Sequence, residues 1–109
     1  MYLEKIDAPQ DLRGLTTEQL HALADEIREA LLRKLSAHGG HIGPNLGMVE
    51  ATVALHRVFD SPRDRIVFDV SHQSYVHKML TGRAAAYLDP DRFSEVTGYP
   101  KPDESNHDM

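Results

Sequence analysis

Two short stretches carry the residues that could do chemistry. The first, Gly39–Gly47, reads GGHIGPNLG and packs four glycines, a proline and His41 into nine residues. Ordering so permissive a stretch costs conformational entropy. Placing an imidazole in it sets a proton donor or acceptor, active near neutral pH, beside backbone that a ligand can approach. The stretch also feeds a predicted helix starting near Asn45 or Leu46, whose free N–H groups favour an anion. The plainer reading is a glycine-rich helix end with a solvated histidine. The second stretch, DVSHQSYVHK from Asp69 to Lys78, begins where an apolar run ends. Asp69, Ser71, His72, Gln73 and Ser74 put polar atoms where open α/β sheets bind ligands, beyond the carboxyl end of a strand. Its plainer reading is a polar turn with Ser71 or Ser74 as helix N-cap.

The seven histidines raise the question of a metal. His38 and His41 are separated by glycines, so no helix presents them together. His72 and His77 are five apart, which on a helix turns them about 140° from each other. There is no HExxH pattern and no cysteine, so a dedicated metal site is not expected. His21 and His56 fall on predicted helices and are expected to be solvated or partly packed. Tyr75, Tyr87 and Tyr99 read as packing residues.

The elements that must position these groups are mostly helical. Residues 1–15 read as an irregular lead-in broken by Pro9 and Gly14. Thr16 and Gln19 have capping-box spacing. After them Leu20, Leu23, Ala24, Ile27, Ala30, Leu31 and Leu35 recur at helical period, with Glu26, Arg28, Glu29 and Arg33 largely off the stripe. Gly39 and Gly40 are expected to end this helix. The second helix, with Val49, Val53, Ala54 and Val58 on its apolar side, is expected to end before the Ser61–Pro62 turn. Ile66–Val70 then form a short run of β-formers, suited to a strand buried on both faces of a parallel sheet. A third helix is predicted over Ser74–Leu80 with Gly82 as its stop. One helical turn is expected on either side of Pro90, and the tail after Val96 reads as an extended loop. A single strand cannot pair with itself, so it needs another chain or a larger protein around it.

Composition bounds the rest. The chain has 109 residues, 40% apolar and 27% charged, as in an ordinary small globular domain. Its formal net charge of −5 argues against nucleic acid as a partner. No apolar run is long enough for a membrane span, and the polar start MYLEKIDAPQDL does not read as a signal peptide. A cytoplasmic setting is therefore expected.

Taken in order, DLRGLTTEQL, the block from Gly39 to Arg83 and the tail TGYPKPDESNHD resemble the N-terminal region of 1-deoxy-D-xylulose-5-phosphate synthases. More distantly they resemble the transketolase superfamily. The resemblance covers essentially the whole chain. It implies an α/β fold: residues 16–109 would be a helix-rich part of a thiamine-diphosphate-binding, parallel-sheet domain, ending before the metal-binding motif. It implies condensation of pyruvate with glyceraldehyde 3-phosphate, using thiamine diphosphate and Mg2+. It also implies that the cofactor sits where the parts of a homodimer meet. By the same resemblance His41 would be catalytic, facing the reacting centre of the cofactor. His72 would lie near the diphosphate, with Gly43, Asn45 and Ser71 shaping the site. Tyr75, His77, Lys78 and Arg83 would be supporting residues, with Lys78 and Arg83 able to help balance an anion.

Ser71 stands where many members have glycine, and IGPN where they have a small apolar run, which points to a divergent subgroup. The family's metal motif, its activating glutamate and its substrate-phosphate site are not in these residues, so the chain alone is expected to be inactive. The alternative is a small non-catalytic helical interaction domain, or the complementing subunit of a split transketolase-like protein.

Overall fold

The computed structural model of the chain describes residues 2–38, 42–68, 73–96, 98 and 100–108. Among the described residues, five α-helical segments run in the order α1 (Thr17–His38), α2 (Ile42–Leu46), α3 (Val49–Val58), α4 (Tyr75–Lys78) and α5 (Ala85–Leu88). Tight 3-10 segments at Leu3–Lys5, Pro9–Gly14 and Pro90–Glu95 complete them.

The predicted cap of α1 is formed on both sides. Gln19 N–H donates to Thr16 Oγ1 at 3.2 Å, and Thr16 N–H donates to Gln19 Oε1 at 2.8 Å. The apolar stripe of α1 is the spine of the core: Leu23, Ala24, Ile27, Ala30, Leu31 and Leu35 are buried against Val49, Val53, Val76, Met79, Leu80 and Tyr87. The lead-in is not loose. Leu3, Ile6 and Leu12 are buried in the same core, and Glu26 on α1 accepts from the N–H groups of Tyr2 (3.0 Å) and Leu3 (2.9 Å). Spacing missed this because a 3-10 turn is too short to show a period.

The second helix is two pieces. α2 spans five residues and ends at a turn over Gly47 and Met48, from which α3 starts afresh. Glycine costs about 1 kcal/mol in a helix interior, so Gly47 is where a continuous helix is easiest to break. α4 passes directly into a wide turn over Met79–Arg83, and Gly82 stops it with φ 101°, a conformation open to glycine.

Among the described residues there is no strand. Ile66, Val67 and Phe68 belong to no helix or ladder; Val67 is 71% exposed while Phe68 is buried. Asp69 and Val70 lie outside the described residues. Among the described residues the expected parallel sheet is therefore not seen, for the reason the sequence itself supplies: a β-segment needs a neighbour to take its backbone hydrogen bonds. What is observed is a helix-rich fold.

Candidate functional site

Of the residues singled out for chemistry, His41, His72 and Ser71 lie outside the described residues; Gly43 and Asn45 lie within them. Gly43 is exposed on α2, and a Cβ there would meet nothing within 4 Å. Asn45 is fully buried. Its Oδ1 accepts the backbone N–H of Tyr75 at 2.9 Å, across 30 residues of sequence. The Gly39–Gly47 stretch and the segment after His72 are thus joined by a buried hydrogen bond. The anion argument for a long helix behind His41 does not carry over, because α2 is only five residues long.

Behind that contact lies a buried polar cluster that spacing did not reveal. His56 on α3 and His77 on α4 are each 1% exposed. His56 Nε2 and His77 Nδ1 are 2.8 Å apart, and the two rings stack with centroids 5.0 Å apart. His77 Nε2 faces two acceptors, the His107 carbonyl at 3.1 Å and Asp108 Oδ1 at 3.2 Å, so that nitrogen carries hydrogen. Burial, then the neighbouring His77 and His107, push the His56 imidazole down to about 3. A neutral His56 must then donate from Nε2 to His77 Nδ1. The other tautomer would leave a buried N–H on His56 Nδ1, which has no partner among the described residues. His56 is therefore a core residue, not a solvated or half-packed one.

Lys78 and Arg83, which the sequence offered as possible anion partners, are already engaged. Lys78 Nζ pairs with Glu104 at 2.9 Å. Arg83 donates to Glu104 at 2.9 Å and, through both terminal nitrogens, to Asp108 at 2.7 and 2.8 Å. Against its burial, Arg83, His77 and the Lys101 N–H hold the Asp108 carboxyl well below its usual range. Both carboxylates come from the tail, which is a docked segment and not a free loop. DESNHD looks like a solvated turn, and its acidic residues gave no sign of which cations they meet.

Among the described residues no group of three histidines, aspartates or glutamates is placed to hold a metal. With Lys78 and Arg83 engaged, Asn45 buried and Gly43 facing open space, the described residues do not by themselves fit a diphosphate or its metal. An apolar groove of about 260 Å³ lies between α1 and α3, lined by Leu20, Ala24, Val53, Ala54 and Val58 among others. Among the described residues no helix is long and apolar enough to cross a membrane.

These features define a helix-rich segment in which a buried hydrogen bond joins two histidine-bearing stretches and buried charges hold the tail. The family model described as 1-deoxy-D-xylulose-5-phosphate synthase matches residues 3–109. The chain is 58% identical over 106 residues to the 1-deoxy-D-xylulose-5-phosphate synthase of Mycobacterium avium, covering 97% of this chain and 16% of that protein. It is 58% identical over 106 residues to that of Corynebacterium diphtheriae, covering 97% and 17%. It is 51% identical over 109 residues to that of Halalkalibacterium halodurans, covering 100% and 17%. The chain belongs to the 1-deoxy-D-xylulose-5-phosphate synthase family, and it spans about one sixth of the length of these relatives.

Proposed function

We propose that this chain is the N-terminal part of a synthase that condenses pyruvate with glyceraldehyde 3-phosphate to 1-deoxy-D-xylulose 5-phosphate, with release of carbon dioxide. The observation that carries the reading is the family match over residues 3–109. When bound, thiamine diphosphate supplies the carbanion chemistry of the reaction. His41 is the proton-transferring group of this chain, and His72 is its contact to the diphosphate. Ser71 and Gly43 shape the walls, and Asn45 supports them from behind. The metal ligands and the remainder of the cofactor site belong to other segments, as does the parallel sheet that Ile66–Val70 would join.

The exposed apolar residues support a further part of the reading. Val58 and Val67 are each 71% exposed, and the groove beside Val58 is apolar. An apolar groove of this kind is a candidate interaction surface, here for the remainder of the enzyme or for a second copy in a cytoplasmic homo-oligomer.

The isolated chain is expected to be inactive. Incubating it with pyruvate, glyceraldehyde 3-phosphate, thiamine diphosphate and Mg2+ should give no product above background; steady turnover would overturn the assignment of the missing parts to other segments. In the intact protein carrying this segment, His72→Ala should weaken thiamine diphosphate binding. His41→Ala should lower kcat by about 100-fold or more with little effect on that binding. Unchanged kinetics in both would instead favour a non-catalytic docking domain.

A further inference from the structure

Helix α4 begins without a cap of its own. Ser74 occupies its N-cap position but makes no capping hydrogen bond, and its buried Oγ has no partner among the described residues. The N–H of Tyr75, the first residue of the helix, is instead taken by Asn45 Oδ1 from α2. A serine at that position ordinarily accepts from the second or third N–H of the helix, so the N–H at the first position needs an acceptor from elsewhere. Here the donor is satisfied across the fold, by a side chain with no exposed surface. A buried amide N–H left without an acceptor is costly, so this bond is a constraint between two segments and not a surface ornament. Both ends are short and tightly held. Asn45 sits within the five residues of α2, where Met48 N–H also bonds its carbonyl at 3.1 Å. Tyr75 opens the four-residue α4, packed between α3 and the core.

We propose that Asn45 is a positioning residue: its carboxamide is a tertiary N-cap that locks α2 to α4, so that the two stretches carrying His41 and His72 are presented as one unit. His41 is one residue before α2 and His72 is three residues before α4 in sequence. A shift of α2 against α4 would therefore move the points at which both stretches join the helices, without touching either histidine. The consequence for catalysis rests on the roles given to His41 and His72 above; the clamp itself does not.

The test compares Asn45→Ala, which removes the acceptor, with Asn45→Asp, which keeps an acceptor oxygen of nearly the same shape, in the intact protein carrying this segment. Amide hydrogen exchange at Tyr75 reads the clamp directly. It should be slow in the parent, at least about tenfold faster in Asn45→Ala and close to the parent in Asn45→Asp. At saturating cofactor Asn45→Ala should lower kcat by about 10- to 100-fold, with rescue in Asn45→Asp. The pair Asn45→Ala with His41→Ala should be no worse than His41→Ala alone, because both act through one group. A Tyr75 amide that exchanges freely in the parent overturns the clamp even where Asn45→Ala fails to fold. Slow exchange with an additive loss of kcat overturns the positioning role. Normal kinetics in His41→Ala and His72→Ala, with Tyr75 exchange still dependent on Asn45, would remove the catalytic reading and leave the clamp standing.

Discussion

Lys34 shows how far a single residue can depart from its sequence context. It lies in the charged run of α1, yet only 7% of it is exposed, and its Nζ donates to the Phe93 carbonyl at 2.7 Å. The ammonium sits 4.3 Å from the centroid of the Tyr87 ring, so carbonyl dipoles and an aromatic face serve it in place of a carboxylate. Burial, and then the positive charge of Lys78, lower its pKa from 10.5 to about 8. The folded state thus releases this proton more readily than the unfolded state, which binds more protons between pH 8 and 10.5. Stability from this group must rise with pH across that window. We expect the urea midpoint of the chain to hold up better from pH 8 to 10 than that of Lys34→Met, which keeps the aliphatic stem but cannot titrate. Parallel pH profiles for the two would rule out Lys34 as the source.

Among the elements, α1 was the most legible, because a 22-residue helix repeats its apolar stripe often enough for a period to be read. Its Thr16–Gln19 cap and the Gly82 stop were legible for a similar reason, since each rests on local chemistry. The 3-10 lead-in, the break at Gly47 and the docking of the tail were not, because tertiary contacts decide them. Nothing near Glu104 or Asp108 announces that their partners lie on α4 and in the turn after it. In the candidate site, Asn45 was visible as a motif residue, but its bond to Tyr75 required the fold. The tail's attachment is testable. Arg83 and Asp108 are largely shielded, with side chains 12% and 0% exposed. Breaking a shielded pair leaves its partner charged and buried. Asp108→Asn should therefore cost about 3 kcal/mol in urea unfolding. By contrast Arg28–Glu50, between α1 and α3, is solvent-exposed at 35% and 57%, and Glu50→Gln should cost less than about 1 kcal/mol. Equal effects from the two substitutions would mean that the tail is not held by its charges.

At the scale of the whole molecule, α3, α4 and the tail meet at one proton-sensitive junction. His56, His77, His107 and Asp108 face one another there, with Arg83 and the Lys101 N–H on the outer side. Ser61 Oγ, at 2.8 Å from His107 Nδ1, ties the junction to the turn after α3. The His56 imidazole is lowered from 6.5 to about 3, and that of His107 is lowered too, in both cases chiefly by burial. A histidine held neutral in the fold contributes fully above pH 6.5, and its contribution is lost as the pH falls toward its folded value. For His56 the loss runs from pH 6.5 to about 3, at no more than about 1.4 kcal/mol per pH unit for one proton. Asp108 acts in the same direction at lower pH, because its depressed carboxyl protects the fold only while ionised. The urea midpoint should therefore fall steadily from pH 6.5 to 4, well before ordinary carboxylates are fully protonated. His56→Gln can still donate to His77 Nδ1 but cannot take up a proton. It should start lower at pH 7, for loss of ring packing, and then run flatter with acid. A parent midpoint that stays level between pH 6.5 and 4 would mean that the junction opens to water without unfolding, and that the docked tail is not part of the cooperative unit.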